Sequence, residues 1–177
     1  SGKIVVICGE QFDVETTSLD LSKKGAGSAA LKDIAKLIEL TSLKLSDNKI
    51  DELDFLTPLK KLTSLDLSNN KISDITPLKK LSSLRTLHLD GNEIKDFSPL
   101  YDIDSLSMLT IGQMDISASQ LKELKAKLPN CIIYSDDAKE DVIDIKLGGK
   151  TFKNNVKELD LSGCDVHDIT LLSACTK

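Results

Sequence analysis

Asn48, Asn70 and Asn92 stand 22 residues apart, and a frame of aliphatic residues moves with them. Leu43, Leu65, Leu87 and Leu109 share that spacing. So do Leu45, Leu67, Leu89 and Ile111, then Ile50, Ile72, Ile94 and Ile116, then Leu53, Ile75 and Phe97. A fixed period of this size marks units that cannot bury an apolar face alone and must stack on one another. Each unit then touches only its neighbours, so length adds units and not a larger single core. A chain of this kind offers a surface before it offers a reaction centre.

The unit reads LxLxxNxIxxI, followed by a looser apolar tail. The LxL part alternates with the period of a strand. Asp, Asn and Gly follow it and turn the chain. Tails such as ITPLKKLSSL space their apolar residues three apart, which suits a single 3₁₀ or helical turn leading back to a parallel strand. The asparagine amide carries two donors and an acceptor. At the turn leaving each strand it can pair backbone groups that stacking buries and that must find partners. The spacing predicts a structural ladder at Asn48, Asn70 and Asn92.

The phrases LDLSNNKISDITPLKKLSSL and LHLDGNEIKDFSPL resemble the leucine-rich repeat family. The likeness is to its 22-residue class, found in bacterial internalin-like proteins and eukaryotic phosphatase regulatory subunits. It spans residues 17–134 and, as a fragment, 157–175. It implies an α/β right-handed solenoid with a parallel sheet on the concave face and short helical turns on the convex face. The internalin-like branch implies a bacterial protein, secreted or at the cell surface. The phosphatase-regulator branch implies an intracellular adaptor.

The ends depart from the period. Leu19 and Leu21 lie 24 residues before Leu43 and Leu45, and the insert KKGAGSAALKDIAKL predicts a fuller helix with Ser28 as N-cap. In the fifth unit Met114 replaces the asparagine. Residues 117–128 then predict a helix with a Ser117–Gln120 capping box, an apolar face of Leu121, Leu124 and Leu128, and Pro129 as its stop. Carrying the 22-residue step onward puts Cys131 and Ile133 inward in a sixth strand.

A longer period is also present. Val5, Ile7, Gly9, Phe12, Leu19, Asp20, Leu21 and Ser22 match Ile145, Leu147, Gly149, Phe152, Leu159, Asp160, Leu161 and Ser162 at an offset of 140 without a gap. The expected organisation is a repeat module with an N-terminal β-hairpin cap over 1–134, a charged connector over 135–141, and the start of a second, truncated copy over 142–177. That last segment is expected either to extend the first array's sheet or to self-associate through its unfinished edge.

Composition narrows the functions. The net charge is −5, which argues against nucleic acid, where affinity comes from Lys and Arg meeting phosphates. No stretch approaches 18 apolar residues, so no membrane span is expected. The four cysteines, Cys8, Cys131, Cys164 and Cys175, lack C-x-x-C spacing, and His88 and His167 complete no zinc pattern. They are expected as buried or half-buried thiols. Gly25-Ala26-Gly27 is a loop, and no phosphate loop, G-x-S-x-G or H-E-x-x-H occurs. The reading is a non-catalytic protein, with no cofactor or metal.

Function then falls to the exposed strand positions. The expected central column is Asp20, Lys44, Asp66, His88, Thr110 and Ile132. Beside it run Ser18, Ser42, Ser64, Thr86, Met108 and Asn130 on one side, and Ser22, Ser46, Ser68, Asp90, Gly112 and Tyr134 on the other. The early strands are serine-rich, a poor composition for an interface centre. His88, Met108, Thr110, Ile132 and Tyr134 form the candidate binding patch for a protein or peptide partner. The competing expectations are that residues 142–177 cover Ile132 and Tyr134, or that the segment is a spacer in a tandem surface protein. Lys60, Lys61, Lys79 and Lys80 read as a solvated face balanced by nearby acids.

Overall fold

A computed structural model of the chain describes residues 2–136 in full and the backbone of residues 144–147 and 150–153. The chain divides into two compact units, Ser1–Ala138 and Lys139–Lys177.

The first unit opens on an antiparallel hairpin, β1 (Ile4–Ile7) and β2 (Glu10–Asp13). Its turn uses Cys8 at φ +51° and Gly9 at φ +81°, and two successive positive φ values match the twist of a two-residue hairpin. Val5 and Ile7 point into the core and are buried. The hairpin thus seals the first coil, which has no preceding unit to cover it. Six short strands follow: β3 (Ser18–Asp20), β4 (Ser42–Lys44), β5 (Ser64–Asp66), β6 (Thr86–His88), β7 (Met108–Thr110) and β8 (Ile132–Tyr134). They form one parallel sheet in chain order. Leu43, Leu65, Leu87 and Leu109 are register neighbours along it.

The return paths are 3₁₀ turns at Lys32–Lys36, Asp54–Leu56, Thr76–Lys80 and Ser98–Asp102. The tails are tighter than their looser pattern implies. Leu56, Leu78 and Leu100 form one fully buried column; Leu59, Leu81 and Ile103 form a second; Leu62, Leu84 and Leu106 form a third. Each interior unit therefore commits seven aliphatic or aromatic side chains to the core, each worth about 1.5–3 kcal/mol on burial.

Two coils differ. In the first, α1 (Ser28–Leu31) is a single turn running into the 3₁₀ segment, not the fuller helix expected. Its N-cap is Gly27, and Ser28 is not the cap. The Ser28 hydroxyl is instead engaged with the next coil, donating to Asp51 and accepting from the Asp51 and Glu52 N–H groups. In the fifth coil, α2 (Ala118–Lys127) forms as the sequence predicts. Ser117 and Gln120 make the reciprocal capping box, and Leu121, Leu124 and Leu128 are buried.

These two coils take 24 residues from strand to strand, pairing Leu19 with Leu43 and Leu109 with Ile133. The all-3₁₀ coils take 22. An α-helix climbs about 1.5 Å per residue against about 2.0 Å for a 3₁₀ helix, so an α-helical path needs more residues to span the same gap. The extrapolated 22-residue step was therefore two residues short at β8. Ile133, not Cys131, stands beside Leu109. Cys131 is half-buried at the strand entry, and burial pushes its thiol pKa up. Cys8 is exposed, contrary to expectation.

In the second unit β9 (Asp144–Leu147) and β10 (Lys150–Lys153) pair antiparallel with Phe152 opposite Ile145. In the first hairpin Phe12 stands opposite Val5. The expected connector beyond residue 136, the repeat start at 157–175, and the cysteines at 164 and 175 lie outside the described residues.

Candidate functional site

The asparagine positions face inward, not outward. Asn48, Asn70 and Asn92 are 7–8% exposed. Asn70 Nδ2 donates to the carbonyls of Leu45 at 3.0 Å and Leu67 at 2.9 Å, and its Oδ1 accepts the Ile50 N–H at 3.0 Å. Asn92 repeats this with Leu67, Leu89 and Ile72. Asn48 does so with Leu21, Leu45 and Ala26, and it also accepts the Lys24 N–H. These side chains hold coil to coil and are spent on structure. One residue earlier in each unit, Lys23, Asp47, Asn69, Gly91 and Gln113 all adopt φ between +55° and +65°. The left-handed residue is what swings the asparagine under the strand.

A second ladder runs at the strand entries. Thr41 Oγ1 donates to the Thr17 carbonyl, Thr63 Oγ1 to Thr41, and Ser107 Oγ to Arg85, each at 3.1 Å. Sequence reasoning missed it, although hydroxyl residues two before the inward leucine carry the signal. Arg85 is the interruption.

The outward sheet face carries three columns. Register places Asp20, Lys44, Asp66, His88, Thr110 and Tyr134 side by side in the middle. Ser42, Ser64, Thr86, Met108 and Ile132 are neighbours on one flank. The longer last coil thus moves Ile132 next to Met108 and Tyr134 next to Thr110, correcting the expected columns, and leaves Asn130 out of the face. All five candidate residues still come together. His88, Met108 and Thr110 are half-buried, while Ile132 and Tyr134 are 61% and 55% exposed.

The patch is fixed by a short polar chain. His88 Nδ1 lies 3.0 Å from Thr110 Oγ1. The Thr110 hydroxyl donates to Asp90 Oδ2, and Asp90 Oδ1 accepts the Gly112 N–H at 2.7 Å. Because Thr110 gives its proton to Asp90, His88 supplies the hydrogen from Nδ1. At the other end of the sheet, Asp20 alternates with Lys44 and Asp66. The Ser22 N–H, then the Ser22 hydroxyl and Lys44, hold the Asp20 carboxyl below its ordinary pKa. That end is small and polar. Among the described residues no cluster of His, Cys, Asp or Glu is arranged to hold a metal, and no helix is long and apolar enough to cross a membrane.

A leucine-rich repeat model, of two copies, matches residues 38–80, and a single-repeat model matches residues 80–96 and 152–169. The second stretch of the latter lies in the second unit. No curated protein matches the chain. Internalin C2 from Listeria monocytogenes is 32% identical, with a TM-score of 0.62 over 70% of this chain and 53% of that one. The internalin inlF of the same organism is 24% identical, with a TM-score of 0.54 over 72% and 45%. The ectodomain of the Arabidopsis thaliana receptor kinase SOBIR1 shares the fold at 21% identity, TM-score 0.53, over 75% and 73%.

The chain is a leucine-rich repeat protein, a family whose members typically mediate protein–protein interaction. Within that family its array is internalin-like. It spans about half the length of the two internalins it matches.

Proposed function

We propose that the first unit binds a protein or peptide partner, without catalysis, on the outward (concave) face of its sheet, through His88, Met108, Thr110, Ile132 and Tyr134. The observation that carries this is the pairing of Met108 with Ile132 and of Thr110 with Tyr134 in a face whose earlier strands present serine, threonine and single charges. A rigid scaffold settles the ordering cost on folding, which leaves more of the contact energy for the partner. Tyr, Met and apolar residues supply the kind of centre strong interfaces use. The immobilised intact chain and its His88→Ala/Met108→Ala/Tyr134→Ala variant should recover different partners from the same extract. Equal recovery of every partner removes the patch.

A second reading is a spacer in a tandem surface protein, with no ligand on this segment. It draws on the serine-rich half of the face and on the two hairpins that pair in one register at an offset of 140. A chain that recovers nothing above a blank surface supports the spacer. The internalin likeness supports a secreted or cell-surface, bacterial setting, and the repeat match at residues 152–169 leaves self-association through 142–177 as a further arrangement. A single molecular mass across a hundredfold concentration range in light scattering would rule self-association out.

A further inference from the structure

The binding face has an acidic side, and this sets the kind of segment it takes. The residue after each strand's turn-out forms a third column, in which Asp90 and Asp136 flank Gly112. A methyl group placed on Gly112 would lie 3.0 Å from Asp90 Oδ1 and 3.0 Å from Asp136 Oδ1. Two carboxylate oxygens therefore converge over a position that has no side chain. Both carboxylates are anchored by backbone, Asp90 through the Gly112 N–H at 2.7 Å and Asp136 through the Gln113 N–H at 2.6 Å. Neither can swing away without losing a charge-assisted bond.

Like charges this close repel, and a cation between them gains two attractions at once. Among the described residues no lysine or arginine forms an ion pair with Asp66, Asp90 or Asp136; the pairs formed are elsewhere. Tyr134 lies one column away, in the middle of the face, and the apolar surfaces of Met108 and Ile132 lie on the far flank, two columns away. We propose that the face takes a protein segment with a lysine or arginine seated over Gly112 between Asp90 and Asp136, and an adjacent apolar side chain on Met108, Ile132 and Tyr134. This rests on the function proposed above and adds the partner's chemistry. An acidic segment would meet the Asp90 and Asp136 carboxylates on the same face.

The test is selection of a random 15-residue display library on the intact chain, on Ile132→Ser/Tyr134→Ser, and on Asp136→Asn. The substituted side chains are exposed, and an asparagine at 136 keeps an acceptor for the Gln113 N–H, so the folded state survives; circular dichroism confirms it. The expected result is enrichment of sequences with Lys or Arg within three residues of an aliphatic or aromatic residue. Their binding should weaken about three- to tenfold on Asp136→Asn, be lost on the double serine variant, and fall as salt rises. Peptides lost on the double serine variant, but without a cation and indifferent to Asp136→Asn, would overturn the basic partner and leave the patch standing. Peptides indifferent to both variants, or no enrichment over a blank surface, would overturn both.

Discussion

Asn70 Oδ1 accepts the N–H of Ile50, 20 residues earlier and one coil back, at 3.0 Å. The same amide donates to Leu45 and Leu67. Replacing Asn70 with Ala would leave the buried Ile50 N–H without a partner and would cut the Leu45 and Leu67 carbonyls to one asparagine donor each, Asn48 and Asn92. An orphaned buried donor costs about 1–3 kcal/mol, so the variant should lose about that much in urea unfolding. A loss under about 1 kcal/mol would mean that water enters the coil and replaces the rung.

Gly91 sits at φ +65°, and a methyl there would stand 2.3 Å from Asn69 Oδ1. Gly9 has φ +81° with open space around it. Gly9→Ala should cost about 1–2 kcal/mol from backbone strain alone. Gly91→Ala should cost more, up to about 3 kcal/mol, because Asn69 must also move. Equal shifts in melting temperature would mean that the asparagine gives way freely.

Asp74 and Asp96 each accept the N–H two residues on, from Thr76 at 2.8 Å and Ser98 at 2.9 Å, where the 3₁₀ turns begin. The Thr76 hydroxyl and N–H hold Asp74 below its ordinary pKa; the Ser98 N–H and hydroxyl do so for Asp96. A lowered folded pKa means the stabilisation is present above the unfolded value, about 3.9. It is lost as pH falls below that value through the folded one. Asp74→Asn/Asp96→Asn should keep the turns but flatten the decline. Its melting temperature should fall less between pH 5 and pH 3 than that of the parent chain. Parallel curves would assign the acid sensitivity to other carboxylates.

Leu100 is fully buried and Ile132 is 61% exposed, though both are aliphatic and both belong to the first unit. Leu100→Ala should cost about 2–5 kcal/mol. Ile132→Ser should change stability by no more than about 0.5 kcal/mol. A large loss from Ile132→Ser would show that the side chain is covered and is not available to a partner.

The coil count, the inward columns and the amide rungs were legible because each depends on spacing within one unit. Ser117 and Gln120 could be read as a capping box because three residues separate them. Ser28 was misread because its hydroxyl is claimed by Asp51 and Glu52, one coil away, and no local pattern announces that competition. The Thr17–Thr41–Thr63 ladder has a local signature, but threonine at a strand entry reads as ordinary solvent-facing polarity until the neighbouring carbonyl is in place.

The sequence by itself determined that the chain stacks, which residues fill the interior and where the amide rungs stop, because burial and turn chemistry repeat with the chain. Only the tertiary structure decided that Tyr134 stands beside Thr110 and that Asp136 closes on Gly112. That register depends on how far ten residues of α2 carry the chain before β8 pairs. Path length through a helix is a property of three dimensions, and a fixed period in the letters does not contain it.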